Sequence, residues 1–268
     1  MPHRPRTDRQ GPFHVDQLRE GDRYELSSGH PIYCAPSGRE HAGTNLIGAA
    51  ALETDPDVEW AGIDAGFTPD SGTLRASDVA IGPAGAEQGW IAGAPPLAVE
   101  YAGRGQDEQE LQDKIAELLQ SGTQQVWVVR LIGPRRVEVY RSDEAMRLVG
   151  PGEILSAPGL LRNPVPIEAL YDRDAAHRAT LRNLLQREGY ESLDDVRQAG
   201  MAEGINQGIN QGINQGIAES ILAFLTERGL VVDTPSRERI LAEQDTAQLR
   251  RWLIASTQVQ ETQRLFEP

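Results

Sequence analysis

Two carboxylates interrupt apolar stretches of the sequence, and they are the residues best suited to chemistry. Asp78 lies within the stretch LRASDVAIG, and Glu100 lies within LAVEYA. Both stretches are typical of β-strands, in which alternate side chains share a face, so each acid shares its face with alanines. Alternation divides the first strand into one face with Leu74, Ala76, Asp78 and Ala80 and another with Arg75, Ser77, Val79 and Ile81. The small neighbours leave open space in front of both acids.

A carboxylate inside an apolar strand is costly unless it is paired or holds a cation. If the two strands are neighbours, Asp78 and Glu100 offer the hard oxygen ligands that Mg2+ accepts, with water completing the coordination shell. The alternative is that each acid faces solvent or pairs with an arginine. Both interpretations are open from the spacing alone.

The helix predicted after Glu100 supplies a third charged group. Asp107 is suited to cap its N-terminus, with Glu110 completing a capping box. The buried stripe of this helix is formed by Leu111, Ile115, Leu118 and Leu119. Lys114 is the only lysine among 26 basic residues, and it lies beside this stripe, from which it can reach toward the acids. The alternative is an exposed helical ion pair between Glu110 and Lys114, which for a single residue is the more common arrangement.

Together these residues resemble the Uma2 family of endonucleases, which belong to the PD-(D/E)XK nuclease superfamily. The matching positions are Glu25 in the opening strand GDRYEL, His41 at the start of the next helix, Asp78 in place of the acid of a Pro-Asp-Val motif, Glu100 in place of the acid of a Leu-Val-Val-Glu-Val strand, Lys114 as the helical lysine, and the tryptophan-bearing strand QVWVV. The resemblance covers roughly residues 12–190.

The resemblance implies a metal-dependent nuclease site. In such a site Asp78, Glu100 and Glu25 hold Mg2+ or Mn2+. Lys114 orients the attacking water and offsets the charge of the phosphorane. His41 could touch this site, but a histidine at a helix start is more often a local capping or surface residue.

Three departures from the family pattern concern the surroundings of these residues. Ser77 stands where the family has proline, and EYAGRG (100–105) replaces a Glu-Val-x-Ser-Pro-Ser pattern. Ala102 stands where the wider superfamily has a lysine, so Lys114 must supply the ammonium from the helix. The charged set is complete, and the altered loop after Glu100 affects the fit of the substrate.

The net charge of −14 conflicts with strong DNA binding, because arginine and lysine supply most of the affinity for phosphate. We therefore expect weak or localised contact with DNA. The nearest approach to a basic patch is Arg130, Arg135, Arg136 and Arg141, for which an exposed hairpin tip is the favoured interpretation. The single cysteine, Cys34, excludes an internal disulfide and a thiolate metal cluster. With no signal or membrane-spanning stretch, we expect a cytoplasmic protein without membrane contact.

The order of elements predicts an α/β (α+β) fold. We expect a mixed β-sheet core of the restriction-endonuclease-like type with flanking helices, followed by an all-helical C-terminal extension. The predicted segments are a disordered N-terminus at 1–11, a nuclease-like α/β domain at 12–160, a helical connector at 161–199 and a helical tail at 200–268. Within the core, strands are expected near 58–67 and 74–82, and a helix from about His41 to Glu53.

The tail begins with GINQGINQGINQG (204–216), whose four-residue period places glycines in one helical row and isoleucines in the next. Small residues in a row allow two helices to approach closely, which indicates a homodimer through residues 200–230. A frayed linker is an equally weighted alternative, because each interior glycine costs roughly 0.5 to 1 kcal/mol relative to alanine. Later helices are predicted near 235–244 and 246–255.

The sequence therefore predicts a Mg2+-dependent endonuclease that hydrolyses DNA phosphodiester bonds. The alternative is a catalytically weak or inactive nuclease-like scaffold that acts as an oligomerising interaction protein. A dinucleotide site at GRGQDE (103–108) is excluded, since a glycine is missing and three nearby acids would repel a pyrophosphate. The five histidines show no HExxH pairing, which disfavours zinc hydrolysis.

Overall fold

The computed structural model describes residues 11–83, 85, 89–105 and 107–267. The chain divides into two compact units, Met1–Ser192 and Leu193–Pro268. Almost all of the predicted disordered segment, residues 1–11, lies outside the described residues. In the described part, no helix combines the length and apolar character needed to cross a membrane.

The first unit is built from strands and three α-helices. Its strands are β1 (Tyr24–Ser27), β2 (His30–Tyr33), β3 (Trp60–Gly62), β4 (Ala65–Asp70), β5 (Thr73–Ser77), β6 (Val79–Gly82), β7 (Ile91–Ala92), β8 (Leu97–Ala102), β9 (Gln125–Arg130), β10 (Arg136–Tyr140), β11 (Arg147–Val149), β12 (Ile154–Leu155) and β13 (Val165–Pro166). Its α-helices are α1 (Arg39–Glu53), α2 (Glu108–Gln120) and α3 (Arg173–Arg187), with 3-10 turns at Val15–Gln17 and Ile167–Leu170.

The strands form two larger sheets and one short pair. A six-stranded sheet has the order β11-β10-β9-β8-β6-β3, and a five-stranded sheet has the order β2-β1-β5-β4-β7. In the larger sheet β8 and β9 run parallel and the other neighbours are antiparallel, with α2 as the crossover between the parallel strands. The predicted mixed α/β fold with flanking helices and a helical extension is confirmed.

Side-chain alternation along β8 separates two apolar layers. Val99 and Tyr101 pack into the cluster that contains residues of α1 and α3. Ala98 and Ala102 pack on the other face against the stripe of α2 formed by Leu111, Ile115 and Leu118. Burying each large side chain of this stripe contributes about 2 kcal/mol. The strand is therefore buried on both faces, and Glu100 lies on the α2 face.

The prediction of one continuous strand over 74–82 is wrong, because the chain passes from one sheet to the other at Asp78. Arg75 points to α2, where it pairs with Glu117. Val79 and Ile81 belong to the α1 cluster on the opposite face of the larger sheet. The expected shared face of Arg75, Val79 and Ile81 is thus interrupted where the strand changes its partners.

The predicted strand over 58–67 also divides into two, β3 and β4. Its break lies at Ile63 and Asp64, where Asp64 has a φ of 53°. Aspartate tolerates this left-handed conformation better than most residues do. The Asp64 N–H donates to the Ser77 carbonyl at 3.1 Å, which fixes the turn beside the end of β5.

In the described part of the second unit, every secondary-structure element is a helix. It contains α4 (Leu193–Glu227), α5 (Thr234–Ala242), α6 (Thr246–Ser256) and a 3-10 turn at Thr262–Phe266. Ile221, Leu225 and Trp252 lie in its apolar core. The GINQ repeat forms an uninterrupted part of α4, and its isoleucines at 205, 209 and 213 are exposed within the chain.

Candidate functional site

A cavity of about 970 Å3 opens in the first unit beside the end of β5, the middle of β8 and the first turns of α1 and α2. All four predicted site residues line it: Glu25 from β1, Asp78 from the junction of β5 and β6, Glu100 from β8 and Lys114 from α2. Its volume is at the upper end of the range usual for ligand sites. The fold thus brings the four residues together from separate elements.

The Lys114 ammonium lies between two of the carboxylates. Its Nζ donates to Glu100 Oε2 at 3.0 Å and to Glu25 Oε1 at 3.4 Å. A third bond runs to the Ala76 carbonyl at 2.7 Å, and the Lys114 side chain is only 13% exposed. Lys114 therefore points into the site, and not to the exposed helical pair considered as the alternative.

The burial of Lys114 and Glu100 affects the pKa of both groups. Burial by itself would lower the pKa of Lys114, but the charges of Glu100, Glu25 and Asp78 outweigh it and raise the pKa. Burial raises the pKa of Glu100 to about 7, because the opposing charge of Lys114 only partly offsets the loss of hydration. Lys114 therefore stays charged at neutral pH. Glu100 loses its proton only near neutral pH, and a cation bound beside it would favour the ionised form.

Asp78 is fixed by the backbone of β8. Its Oδ2 accepts the Tyr101 N–H at 2.6 Å. The register of β6 and β8, with Val79 opposite Val99, places Asp78 at the end of β6 next to Glu100. The two acids therefore stand side by side at the break between the sheets.

His41, in the first turn of α1, contacts the site directly. Its Nε2 lies 3.2 Å from Asp78 Oδ2 and 2.9 Å from the Tyr101 carbonyl. Because both neighbours are acceptors, Nε2 carries the proton. The hydrogen bond to Asp78 raises the pKa of His41. Sequence reasoning left its participation open, and the geometry makes it a neighbour of the proposed ligand Asp78.

Arg75 was missed because alternation placed it away from the acids. It is 4% exposed, with Nη1 donating to Glu25 Oε2 at 3.1 Å and Nε donating to Glu117 Oε2 at 2.6 Å. Ser27 Oγ also donates to Glu117. Arg75 therefore binds one carboxylate oxygen of Glu25, and Lys114 binds the other. The signal in the sequence was an arginine in an apolar strand, which requires carboxylate partners.

Asp64 is the second residue that sequence reasoning missed. It lines the cavity from the turn between β3 and β4. Burial raises its pKa, and the charge of Asp78 adds to the effect. Its place in a predicted strand concealed it, since the turn that directs it inward was not expected.

One observation bears on whether these residues fit a divalent cation. Glu100 Oε1 is buried and has no hydrogen-bond partner among the described residues. A buried carboxylate oxygen without a partner is costly, and a hard cation would remove that cost. No three histidine, cysteine, aspartate or glutamate side chains in the described part form a ready metal-binding group. The donors therefore fit an ion held by one or two carboxylates and completed by water or phosphate oxygens, which is the usual arrangement for Mg2+.

Residues 13–165 match the family model described as "Uma2: Putative restriction endonuclease". The chain belongs to the Uma2 family. The matched range includes all four charged residues and β1 to the start of β13. A solved structure described as a "putative nuclease belonging to DUF820", from Anabaena variabilis, has the same fold, with a TM-score of 0.50 and 19% identity over 61% of this chain and 99% of the other. Among curated proteins, none matches the chain.

The fold accounts for the position of the ammonium in this Uma2 protein. Ala102 lies one alternation beyond Glu100 and is 4% exposed, packed on the face of β8 that α2 covers. Lys114 approaches the same face from α2 itself. A lysine at position 102 would have to displace α2, whereas Lys114 reaches Glu100 without disturbing that layer.

Proposed function

We propose that this chain is a Mg2+-dependent (or Mn2+-dependent) endonuclease that hydrolyses DNA phosphodiester bonds. The observation that carries the proposal is the buried Lys114 ammonium beside Glu100, whose second oxygen has no hydrogen-bond partner in the described part of the chain. The nuclease descriptions of the family and of the solved neighbour support the same chemistry.

In this proposal Asp78 and Glu100 hold the ion through their carboxylate oxygens. When bound, Mg2+ supplies Lewis-acid polarisation of the phosphate and lowers the pKa of a coordinated water. The prediction that Glu25 is a third ligand stays a prediction. Its two oxygens face Arg75 and Lys114, an arrangement that favours holding the ammonium over holding a metal.

Lys114 acts on the reacting groups from the α2 side. Its ammonium keeps its charge at neutral pH, so it can orient a water by donating an N–H to the water oxygen and can offset negative charge on the phosphate. His41 holds Asp78 in place through Oδ2 and leaves the other carboxylate oxygen for the ion. The water oxygen bonds to phosphorus, the P–O bond to the sugar oxygen of the leaving strand breaks, and the proton that the water loses to solvent is balanced by one that the leaving oxygen takes from solvent.

The test is nicking of supercoiled plasmid in Mg2+ by Asp78→Asn and Lys114→Gln. Each substitution should lower the rate about 100-fold or more, the size of effect expected when a group that stabilises the transition state is removed. Asp113→Asn is the matched control, since Asp113 is exposed on the same helix beside Lys114. Retained nicking in either variant would remove that residue from the mechanism.

The rival is a nuclease-like scaffold without catalysis. It is favoured by one observation, that Glu100 pairs with Lys114 and Glu25 pairs with both Lys114 and Arg75. Isothermal calorimetry with Mg2+ and Mn2+ separates the two proposals. The nuclease proposal requires binding that Glu100→Gln weakens, whereas a scaffold gives no heat of binding in either protein.

A further inference from the structure

Besides the buried Arg75, three arginines line the cavity of the candidate site: Arg23 before β1, Arg39 at the first position of α1 and Arg104 in the loop after β8. All three are exposed. No ion pair involves any of them within the part of the chain that the structure describes. We refer to these three residues as the rim arginines.

The arginines that the sequence suggested as a basic patch are engaged instead. Arg130 pairs with Glu108 and Glu138, and Arg135 pairs with Glu40. The other two are also paired, Arg136 with Glu138 and Arg141 with Glu144. Each of these charges is offset by a neighbouring carboxylate, so this hairpin offers little attraction to a phosphate.

Three acids beside the rim arginines accept hydrogen bonds from other groups or pair with another arginine. Asp22 accepts the Arg19 N–H, and Asp107 accepts two N–H groups at the start of α2. Glu40 pairs with Arg135. The ion pair with Arg135 offsets the charge of Glu40, whereas Asp22, Asp107 and Glu110 keep charges that oppose the arginines. Arg39 also stands at the positive end of the α1 dipole, which adds to the local potential.

We propose that Arg23, Arg39 and Arg104 bind the backbone phosphates of a DNA strand and place one phosphodiester over the acids. The inference rests on the proposed function for the identity of the polyanion. It resolves how a chain with a net charge of −14 can bind DNA, since the attraction is confined to the mouth of one cavity. Such contacts fix the position of the strand and read no base sequence.

The rim arginines come from three separate elements, and this placement gives the strand more than one point of attachment. Guanidinium groups bind phosphate through paired N–H donors. Each phosphate that is neutralised in this way releases cations condensed on the DNA. Affinity should therefore fall steeply with salt. Each arginine that contacts a duplex phosphate contributes about 0.9 to the slope of log K against log salt.

The experiment measures binding of a fluorescein-labelled 20-base-pair duplex by fluorescence anisotropy, with the full-length chain in EDTA and a series of NaCl concentrations. The rim variant carries Arg23→Gln, Arg39→Gln and Arg104→Gln. The control variant carries Arg136→Gln, Arg141→Gln and Arg162→Gln, which makes the same change in net charge at arginines whose carboxylate partners do not line the cavity. In the rim variant, the steepness of the fall of log K with log salt should decrease by about 3, and in the control variant by less than about 1. The three single rim variants, each expected to lower it by about 0.9, give the same test should the triple variant not fold.

An unchanged slope in the rim variant, an equal loss in the control variant, or no binding by the wild-type chain overturns the inference. Because EDTA prevents cleavage, the result is independent of catalysis. A loss of slope in the rim variant together with no nicking by the wild-type chain would support the rim contacts and refute the nuclease proposal alone.

Discussion

Gly48 in α1 is the glycine whose replacement bears most directly on the site. A Cβ built on Gly48 would lie 1.8 Å from the Tyr101 hydroxyl oxygen and 3.2 Å from Tyr101 Cζ. Tyr101 is 1% exposed, so its ring cannot move away without disturbing the core. Overpacking of this severity costs about 3 kcal/mol. The better helix propensity of alanine returns about 1 kcal/mol, which leaves Gly48→Ala destabilised by about 2 kcal/mol.

Tyr101→Phe should act in the opposite direction. The Tyr101 hydroxyl is buried without a partner among the described residues, and burial raises its pKa. Removing an unsatisfied buried hydroxyl is neutral or stabilising. In the double variant the new methyl group lies 3.2 Å from the ring carbon Cζ and 3.3 Å from the Leu170 carbonyl oxygen, so most of the lost stability should return.

Urea unfolding of the four proteins closes a double-mutant cycle. We expect a coupling free energy of about 2 kcal/mol between Gly48→Ala and Tyr101→Phe, far above the value for independent sites. Plasmid nicking should follow the same pattern, because the Tyr101 N–H and carbonyl hold Asp78 and His41. Additive free energies would refute the contact between Gly48 and the hydroxyl.

Three further predictions test other parts of the chain. The hydrogen bond to Asp78 raises the pKa of His41, so the stability that His41 contributes is full below its ordinary pKa of about 6.5 and is lost as pH rises through the folded value. The difference in unfolding free energy between wild type and H41Q should therefore narrow as pH rises above about 6.5. Gly208→Ala should raise the unfolding free energy by about 0.5 to 1 kcal/mol, because a Cβ added at this position meets nothing within 4 Å. If light scattering finds a dimer for the wild-type chain and a monomer for the variant, the glycine row pairs two helices closely. Asp55→Ala removes the acceptor of three backbone N–H groups, those of Asp57, Arg162 and Asn163, and should cost about 3 kcal/mol in thermal unfolding. The exposed Asp57→Ala is a control with an expected change near zero.

Alternation predicted β8 correctly because that strand stays within one sheet. Glu100 lies on the face with Ala98 and Ala102, as a period of two requires. The stripe of α2 was equally predictable, since Leu111 and Ile115 follow the helical period and Asp107 caps the helix. For these elements, local periodicity and tertiary packing agree.

The same rule failed where the chain changes sheets. Alternation along 74–82 assumed one set of hydrogen-bonded neighbours, but β5 pairs with β1 and β4, whereas β6 pairs with β3 and β8. The change at Asp78 depends on partners that are distant in sequence. Alternation could therefore not indicate that Arg75 turns toward the acids, and only its charge within an apolar strand pointed to a carboxylate partner.

The structure also explains why this arginine-rich chain uses two different cations around Glu25. Lys114 has three N–H donors, and three acceptors surround it: Ala76 O, Glu100 Oε2 and Glu25 Oε1. Arg75 instead spreads its planar group between Glu25 and Glu117, which suits a fixed structural bridge. The longest Lys114 contact, 3.4 Å, is the one to Glu25. Losing this contact costs Lys114 the least free energy, because Arg75 still pairs with Glu25 when the ammonium turns toward a water or a phosphate oxygen. Arg75 thereby leaves the compact ammonium free to move within the site without stranding a buried charge.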